Sequence, residues 1–239
     1  SLQAKMQSGK FFDTITMPQK LPSDILKNKK LKIGFDPKLY TQKTLDIFFD
    51  KTNCQLISIE KNLIDIIWIK RENNNKKKFY ILPKSAIGEN YRKKLNQLIG
   101  ILNKKKIDLQ FITASENIAW LLNIRGQDSA FTPIPNCYLS IDNNNKITIF
   151  SDLKKIDLSF KKKFNFIKII DIKNTNTFLS KIKNKKILLD SSSCSVYFAN
   201  ILSKNNKIIN FLDPIYLLKS IKSKTEIKNT IKSHIYDGA

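Results

Sequence analysis

Histidine, arginine and glycine are scarce in these 239 residues: one histidine, three arginines and six glycines. A lone histidine, His234, cannot build a histidine-rich metal site, and a Ser-His-Asp triad would have to recruit it from the very end of the chain. No His-Glu-x-x-His motif, nucleophile elbow or glycine-rich dinucleotide fingerprint occurs. The triplet Ser8-Gly9-Lys10 invites a phosphate-loop reading and fails it, because Ala4 stands where a glycine is required and Phe11 where a Ser or Thr must follow. The three cysteines, Cys54, Cys137 and Cys194, are far apart and odd in number, which speaks against a disulfide framework or a zinc ribbon and fits a reducing cytoplasm. No apolar run approaches the roughly 20 residues of a membrane span, and no signal peptide precedes Ser1. The chain does not open on methionine, so its true start is expected upstream.

What is abundant is lysine. The formal net charge is +23, carried by forty lysines against Arg71, Arg92 and Arg125 alone. Such a charge suggests polyanion binding, yet bidentate phosphate and base recognition favours the arginine fork over lysine's hydrated point charge. The lysines are spread along the chain beside isoleucine and asparagine, the pattern of solvated faces, so weak salt-sensitive adhesion is expected rather than specific nucleic-acid binding. An apolar content of 41% and 10% aromatics allow one large or two ordinary globular domains.

Residues 1–17 read as extended, with Leu2, Ala4 and Met6 alternating as in a half-buried strand. Strand, helix and strand follow at 31–35, 41–51 and 55–59, the parallel crossover unit. A short helix is expected through Trp68, then a polar linker over 73–78. Beyond it come a strand at 79–82, a long helix over 89–105 with an apolar stripe of Tyr91, Leu95, Leu98, Ile99 and Leu102, and a strand at 109–112. A hairpin turns at Asp142-Asn143-Asn144-Asn145, between strands at 137–141 and 146–150. Strands at 166–170, 186–189 and 207–212 alternate with helices at 177–183 and 192–202, and a last helix runs from 224 to about 236. The run from Lys32 to Asp36 with its helix and next strand is paralleled by the run from Lys186 to Asp190, an internal repeat. Asp36 and Asp190, each at a strand end, are read as caps for the helices that follow. Trp68 and Trp120 are read as core aromatics.

The stretch 113–138 organises the rest. Thr113 or Ser115 can cap a helix with Glu116 in its first turn, and the apolar run through Ile118, Trp120, Leu121 and Leu122 predicts burial on most sides. Arg125-Gly126-Gln127-Asp128 then makes a charged loop, and Pro133 with Pro135 holds it extended. Arg125 and Asp128 are the candidates for a role beyond packing, either walling an access route or subunit contact, or forming an internal ion pair that fixes the loop. One such pair without a neighbouring base or nucleophile cannot perform acid–base chemistry.

The run Ile118-Ala119-Trp120-Leu121-Leu122-Asn123-Ile124-Arg125-Gly126, followed by Asp128, Pro133 and Tyr138, resembles the second domain of aminopeptidase P, the Xaa-Pro aminopeptidases of the creatinase and prolidase superfamily. Ser115-Glu116-Asn117 stands where that family usually has Leu-Asp-Glu, and Thr132-Pro133 where it has Asn-Pro. Ser1-Leu2-Gln3-Ala4 resembles the close of the family's first-domain hairpin, and Ser233-His234-Ile235-Tyr236-Asp237-Gly238-Ala239 resembles the approach to its catalytic domain. The resemblance implies an α/β fold of two successive creatinase N-terminal-type domains, with mixed β-sheets flanked by helices, the first incomplete. Residues 1–77 would be the C-terminal part of the first domain, 78–218 the second, and 219–239 a linker and first-helix stub of a missing catalytic domain. It implies a cytoplasmic, homo-oligomeric hydrolase that releases an N-terminal residue preceding proline. Two manganese ions would be held by aspartates, a histidine and glutamates of the missing domain, so that this portion contains no catalytic residue or metal ligand and serves substrate access and assembly. The alternative is a stand-alone lysine-rich binding or interaction module without peptidase activity.

Overall fold

The structure is a computed structural model describing residues 2–68 and 77–238. The chain divides into two compact units, Ser1–Ile69 and Lys70–Ala239. Most of the polar stretch expected to be a linker, up to residue 76, lies outside the described residues.

The first unit begins with helix α1, Leu2–Ser8, where an extended segment was expected. Leu2 and Met6 share a face in both conformations, being two alternations apart in a strand and i, i+4 in a helix, and Leu-Gln-Ala-Lys-Met-Gln are strong helix formers. None of α1 is buried. Helix α2, Pro22–Leu26, leads to strand β1, Lys32–Phe35; helix α3, Gln42–Phe49, and strand β2, Gln55–Ser58, complete a parallel crossover with Lys32 opposite Gln55. Leu45 on α3 is the buried apolar side chain of this unit among the described residues, a thin core for its length. Helix α4, Leu63–Ile67, exposes its apolar side chains, and Trp68 at its end is 57% exposed rather than core.

The second unit is built on a six-stranded mixed sheet. Strand β3, Tyr80–Ile81, precedes helix α5, Tyr91–Lys104, strand β4, Leu109–Ile112, and helix α6, Ser115–Leu122. Strand β5, Ile124–Arg125, pairs antiparallel with β3. Strands β6, Tyr138–Asp142, and β7, Ile147–Ser151, form the expected hairpin, with Asn145 at φ 63° accepting the left-handed turn position. Helix α7, Leu158–Lys163, strand β8, Ile167–Asp171, helix α8, Thr175–Leu179, strand β9, Lys186–Leu189, helix α9, Val196–Ser203, and strand β10, Lys207–Asn210, follow. Helices α10, Pro214–Ser220, and α11, Lys224–Asp237, end the described chain.

The sheet order is β10-β9-β4-β6-β7-β8. Alternate residues supply two cores because both faces are covered. Ile112, Leu139, Ile149 and Leu188 join Leu98, Ile118 and Phe160 on one side, while Phe111, Phe150, Ile187 and Leu189 join Leu179 and Leu202 on the other. Helix α8 starts two residues before the expected 177 and stops at Leu179, and α9 starts at Val196 instead of 192. The reason for the second shift is Asp190: its Oδ1 accepts from the Ser192 N–H (2.8 Å) and hydroxyl (2.5 Å), committing these residues to a turn.

Asp36 and Asp190 therefore do not cap helices, contrary to expectation. Thr41 caps α3, its hydroxyl accepting from the Thr44 N–H, while Asp36 Oδ1 accepts from the Lys38 N–H. Each aspartate also reaches across its β–α–β unit to the N-cap residue of the helix after the second strand. Asp36 Oδ2 accepts from Asn62 Nδ2 at 2.9 Å, and Asp190 Oδ2 accepts from the Asp213 backbone N–H at 3.0 Å. The two halves of the repeat thus share a long-range bond as well as a strand order.

Candidate functional site

Helix α6 stops because Asn123 adopts φ 56°, a left-handed conformation that asparagine tolerates. Its N-cap is Ala114, not Thr113 or Ser115: Ser115 instead donates to the Cys137 carbonyl and Thr113 to the Ser193 hydroxyl. The chain then runs through β5 into the charged loop. Arg125 folds back, its Nη1 donating to the carbonyls of Ala119 in α6 (3.2 Å) and Ile124 in β5 (2.8 Å), so the guanidinium ties the end of the helix to the strand that follows it. Burial pulls its pKa down from the ordinary arginine value.

Asp128 faces the other way. Its Oδ1 pairs with the Lys155 ammonium, and its Oδ2 accepts from the Asn136 N–H at 2.8 Å. The expected Arg125–Asp128 ion pair is absent among the described residues; Arg125 is spent on backbone carbonyls, and Lys155, 8% exposed, neutralises Asp128. Burial lowers the Lys155 pKa. Only glycine fits at 126, since an added Cβ would lie 2.6 Å from Pro135 Cα. The loop's stems are thereby fixed, and its tip borders an open cleft of about 680 Å³ lined by Tyr80, Gly126, Asp128, Phe131 and Pro133. Phe131 is 98% exposed.

A second polar constellation joins α5, α6 and α11. Lys94 lies in the apolar stripe of α5, three residues after Tyr91 and four before Leu98, and is 2% exposed. Its ammonium donates to the Trp120 carbonyl (2.8 Å) and Asn123 Oδ1 (2.7 Å), and sits 4.0 Å from the Trp120 ring centroid. Burial lowers its pKa to about 8 against the pull of Glu226 and Glu89. The Trp120 indole N–H donates to Glu226 Oε1 at 3.4 Å, making Trp120 a half-buried bridge rather than a simple core aromatic. Glu226 closes a capping box with Ser223 at the start of α11. Gly88 leaves room for the Ser223 hydroxyl, and Asn229 donates to the Ser85 carbonyl at 3.1 Å.

A third network is centred on Asp213, 2% exposed, whose carboxylate accepts from Gln110, Asn117 and the Ile215 N–H at 2.7–3.0 Å. Burial raises its pKa. Lys219 donates to Asn117 and Tyr216 to Glu116, tying α10 to α6. Sequence reading missed Lys94, Glu226 and Asp213. The signals were there for two: Lys94 falls on the buried face of its helix, and Ser223-x-x-Glu226 is a capping-box pattern.

None of these constellations carries a nucleophile beside a base, and their donors are committed to carbonyls and carboxylates. Among the described residues no group of three or more His, Cys, Asp or Glu side chains is placed to hold a metal ion, and His234 is exposed on α11. The described residues do not fit a dinuclear metal site. No helix of the described residues is long and apolar enough to cross a membrane.

Comparison with known proteins gives this scaffold its kinship. The chain is 31% identical over 217 residues to Xaa-Pro aminopeptidase ApepP of Drosophila melanogaster, covering 86% of this chain and 35% of that protein. It is 30% identical over 228 residues to Xaa-Pro aminopeptidase 1 of Dictyostelium discoideum, covering 88% and 35%. The chain thus spans about a third of the length of these relatives. Among solved structures, X-prolyl aminopeptidase from Caenorhabditis elegans, described as a cytosolic enzyme with a di-nuclear active site, superposes with a TM-score of 0.78 at 25% identity, over 93% of this chain and 37% of that one. The family model of the creatinase/prolidase N-terminal domain matches residues 70–226. With that model spanning the whole sheet, its covering helices and the start of α11, the chain belongs to the creatinase/prolidase N-terminal domain family.

Proposed function

We propose that these 239 residues are the non-catalytic N-terminal portion of a Xaa-Pro aminopeptidase-like metallopeptidase, an enzyme that releases an N-terminal residue preceding proline. The observation that carries this reading is the alignment of nearly the whole chain with only about a third of an X-prolyl aminopeptidase at a TM-score of 0.78. In this reading residues 1–77 are the C-terminal part of a first creatinase N-terminal-type domain and 78–218 the second. Residues 219–239 are the linker and first helix leading into a catalytic domain that supplies two manganese ions and their ligands. The thin core of the first unit supports its being incomplete, and Ile227, Ile231 and Ile235, exposed at i, i+4 and i+8 on α11, support a face that a further domain covers.

The portion's work is to shape access to the peptide site and to support homo-oligomer assembly in the cytoplasm, with Arg125 and Asp128 fixing the loop that serves as access wall or interface. Arg125 holds the loop to α6 and Asp128 holds its return stem, so neither touches the bond that is cut. The test is direct. The isolated chain, incubated with an Arg-Pro-Pro peptide and added manganese, should show no release of the N-terminal residue, and measurable turnover overturns the division of labour. No specific observation favours the stand-alone binding module.

A further inference from the structure

One polar row interrupts the sheet face that carries Phe111 and Phe150. On the opposite face β6, β7 and β8 present Leu139, Ile141, Ile147, Ile149 and Ile167, all apolar and buried. On the Phe111 side the in-register neighbours Phe111, Ser140, Thr148 and Lys168 run across four strands from aromatic ring to hydroxyl to ammonium. Ser140 is 3% exposed and Thr148 6%, and neither hydroxyl has a hydrogen-bond partner among the described residues. A buried hydroxyl left unpaired is unfavourable, and two of them stand side by side here where the facing core uses only apolar residues. The partner they lack has to come from outside the chain.

The surroundings define its chemistry. Ser140, Thr148 and Lys168 line a cleft of about 410 Å³ together with Leu109, Phe166 and Phe178. The Lys168 ammonium lies 5.6 Å from the Phe178 ring centroid, and the same two residues border a second cleft of about 490 Å³ with Ile170 and Ile182. Recesses of this size suit small molecules. Adjacent strands are roughly 4.8 Å apart, so one anionic group over the row can accept from the Thr148 hydroxyl and the Lys168 ammonium together. Asp142, the carboxylate in the lining, has its Oδ1 committed to the Asn144 and Lys146 N–H groups of the hairpin turn.

We propose that this cleft binds a small organic anion, its carboxylate or phosphate ester set against Ser140, Thr148 and Lys168 and its flat apolar body against Phe178. The site is complete within the second unit, so it stands or falls separately from the peptidase reading.

Phenylacetate and phenyl phosphate, titrated into the chain at ~0.15 M salt and followed by amide chemical shifts, should bind saturably with a dissociation constant on the order of 1 mM, the scale for about ten heavy atoms. The shifts should centre on Ser140, Thr148, Lys168 and Phe178. The tighter of the two probes identifies the head group. Neutral phenylacetamide should bind at least about tenfold more weakly. Lys168→Met and Thr148→Val should each weaken phenylacetate about tenfold, whereas Lys204→Met, just past α9 and outside the cleft, should leave it unchanged. Thr148→Val removes an unpaired buried hydroxyl, so its melting temperature without ligand should equal or exceed the parent's, which separates lost binding from lost folding. No saturable binding of either anion up to roughly 50 mM, equal binding of the neutral amide, or binding that both cleft variants leave intact overturns the proposal.

Discussion

The Lys94 ammonium lies 4.0 Å from the centre of the Trp120 ring, and that ring's own N–H reaches Glu226 on the last helix. A single residue pair therefore couples the interior of the long helix α5 to the position of α11. Burial holds the Lys94 pKa at about 8, below its ordinary 10.5. The sign follows from linkage. Between those two values the unfolded chain binds the proton and the folded chain has released it, so stability rises with pH across this window. Below pH 8 both forms are charged, and the fold bears the full cost of the buried ammonium. The gain from pH 8 to 10.5 should be roughly 2–3 kcal/mol. Urea denaturation of wild type and Lys94→Met at pH 7.5, 9 and 10 checks it: the variant should lack this rise, and parallel pH profiles would refute the assignment.

Asp128 and Lys155 should be energetically coupled, and Asp128 and Arg125 should not. Removing either member of the part-buried Asp128–Lys155 pair should cost about 1–3 kcal/mol, because the survivor is left partly desolvated. A double-mutant cycle with Asp128→Asn and Lys155→Met should give a coupling energy above about 0.5 kcal/mol, and the cycle with Arg125→Lys a value near zero. Equal couplings would mean that Arg125 does share the carboxylate.

Gly126→Ala places a methyl group 2.6 Å from Pro135 Cα, a backbone atom that cannot rotate away. The expected loss is about 1–3 kcal/mol of stability by overpacking, with the loop stems displaced. Gly100→Ala, where an added Cβ meets nothing within 4 Å on α5, should instead be neutral or stabilising by up to about 1 kcal/mol. Thermal unfolding of the two variants side by side separates a close approach from a general response to losing glycine.

Polyanion binding should be weak and vanish with salt. Titrating single-stranded RNA and duplex DNA into the chain between 50 and 200 mM salt should show affinity falling steeply and alike for both. Retention of tight binding to one of them at the higher salt would revive the stand-alone module.

The fold was largely legible because its hydrophobic periods are clean. The Tyr91, Leu95, Leu98, Leu102 stripe marks α5, and the asparagine-rich turn marks the β6–β7 hairpin. Residues 1–17 misled, since Leu2 and Met6 fit two periods and nothing buried decides between them. The first turn of α9 misled too, because the Asp190 carboxylate captures Ser192 locally.

By itself the sequence determined the α/β class, the parallel crossovers, the block from Ile118 to Tyr138 that marks the family, and the lack of histidines for a metal site. These depend on local propensity, period and composition, all of which are written along the chain. Tertiary structure alone decided who partners whom: Asp128 with Lys155, Asp190 with Asp213, Lys94 under Trp120. Such pairings join residues 23 to 27 positions apart, as with Asp190 and Asp213 or Asp128 and Lys155. A charge or amide chooses its partner by the direction and burial it is given once the sheet and helices have packed, and neither quantity is encoded at the residue itself.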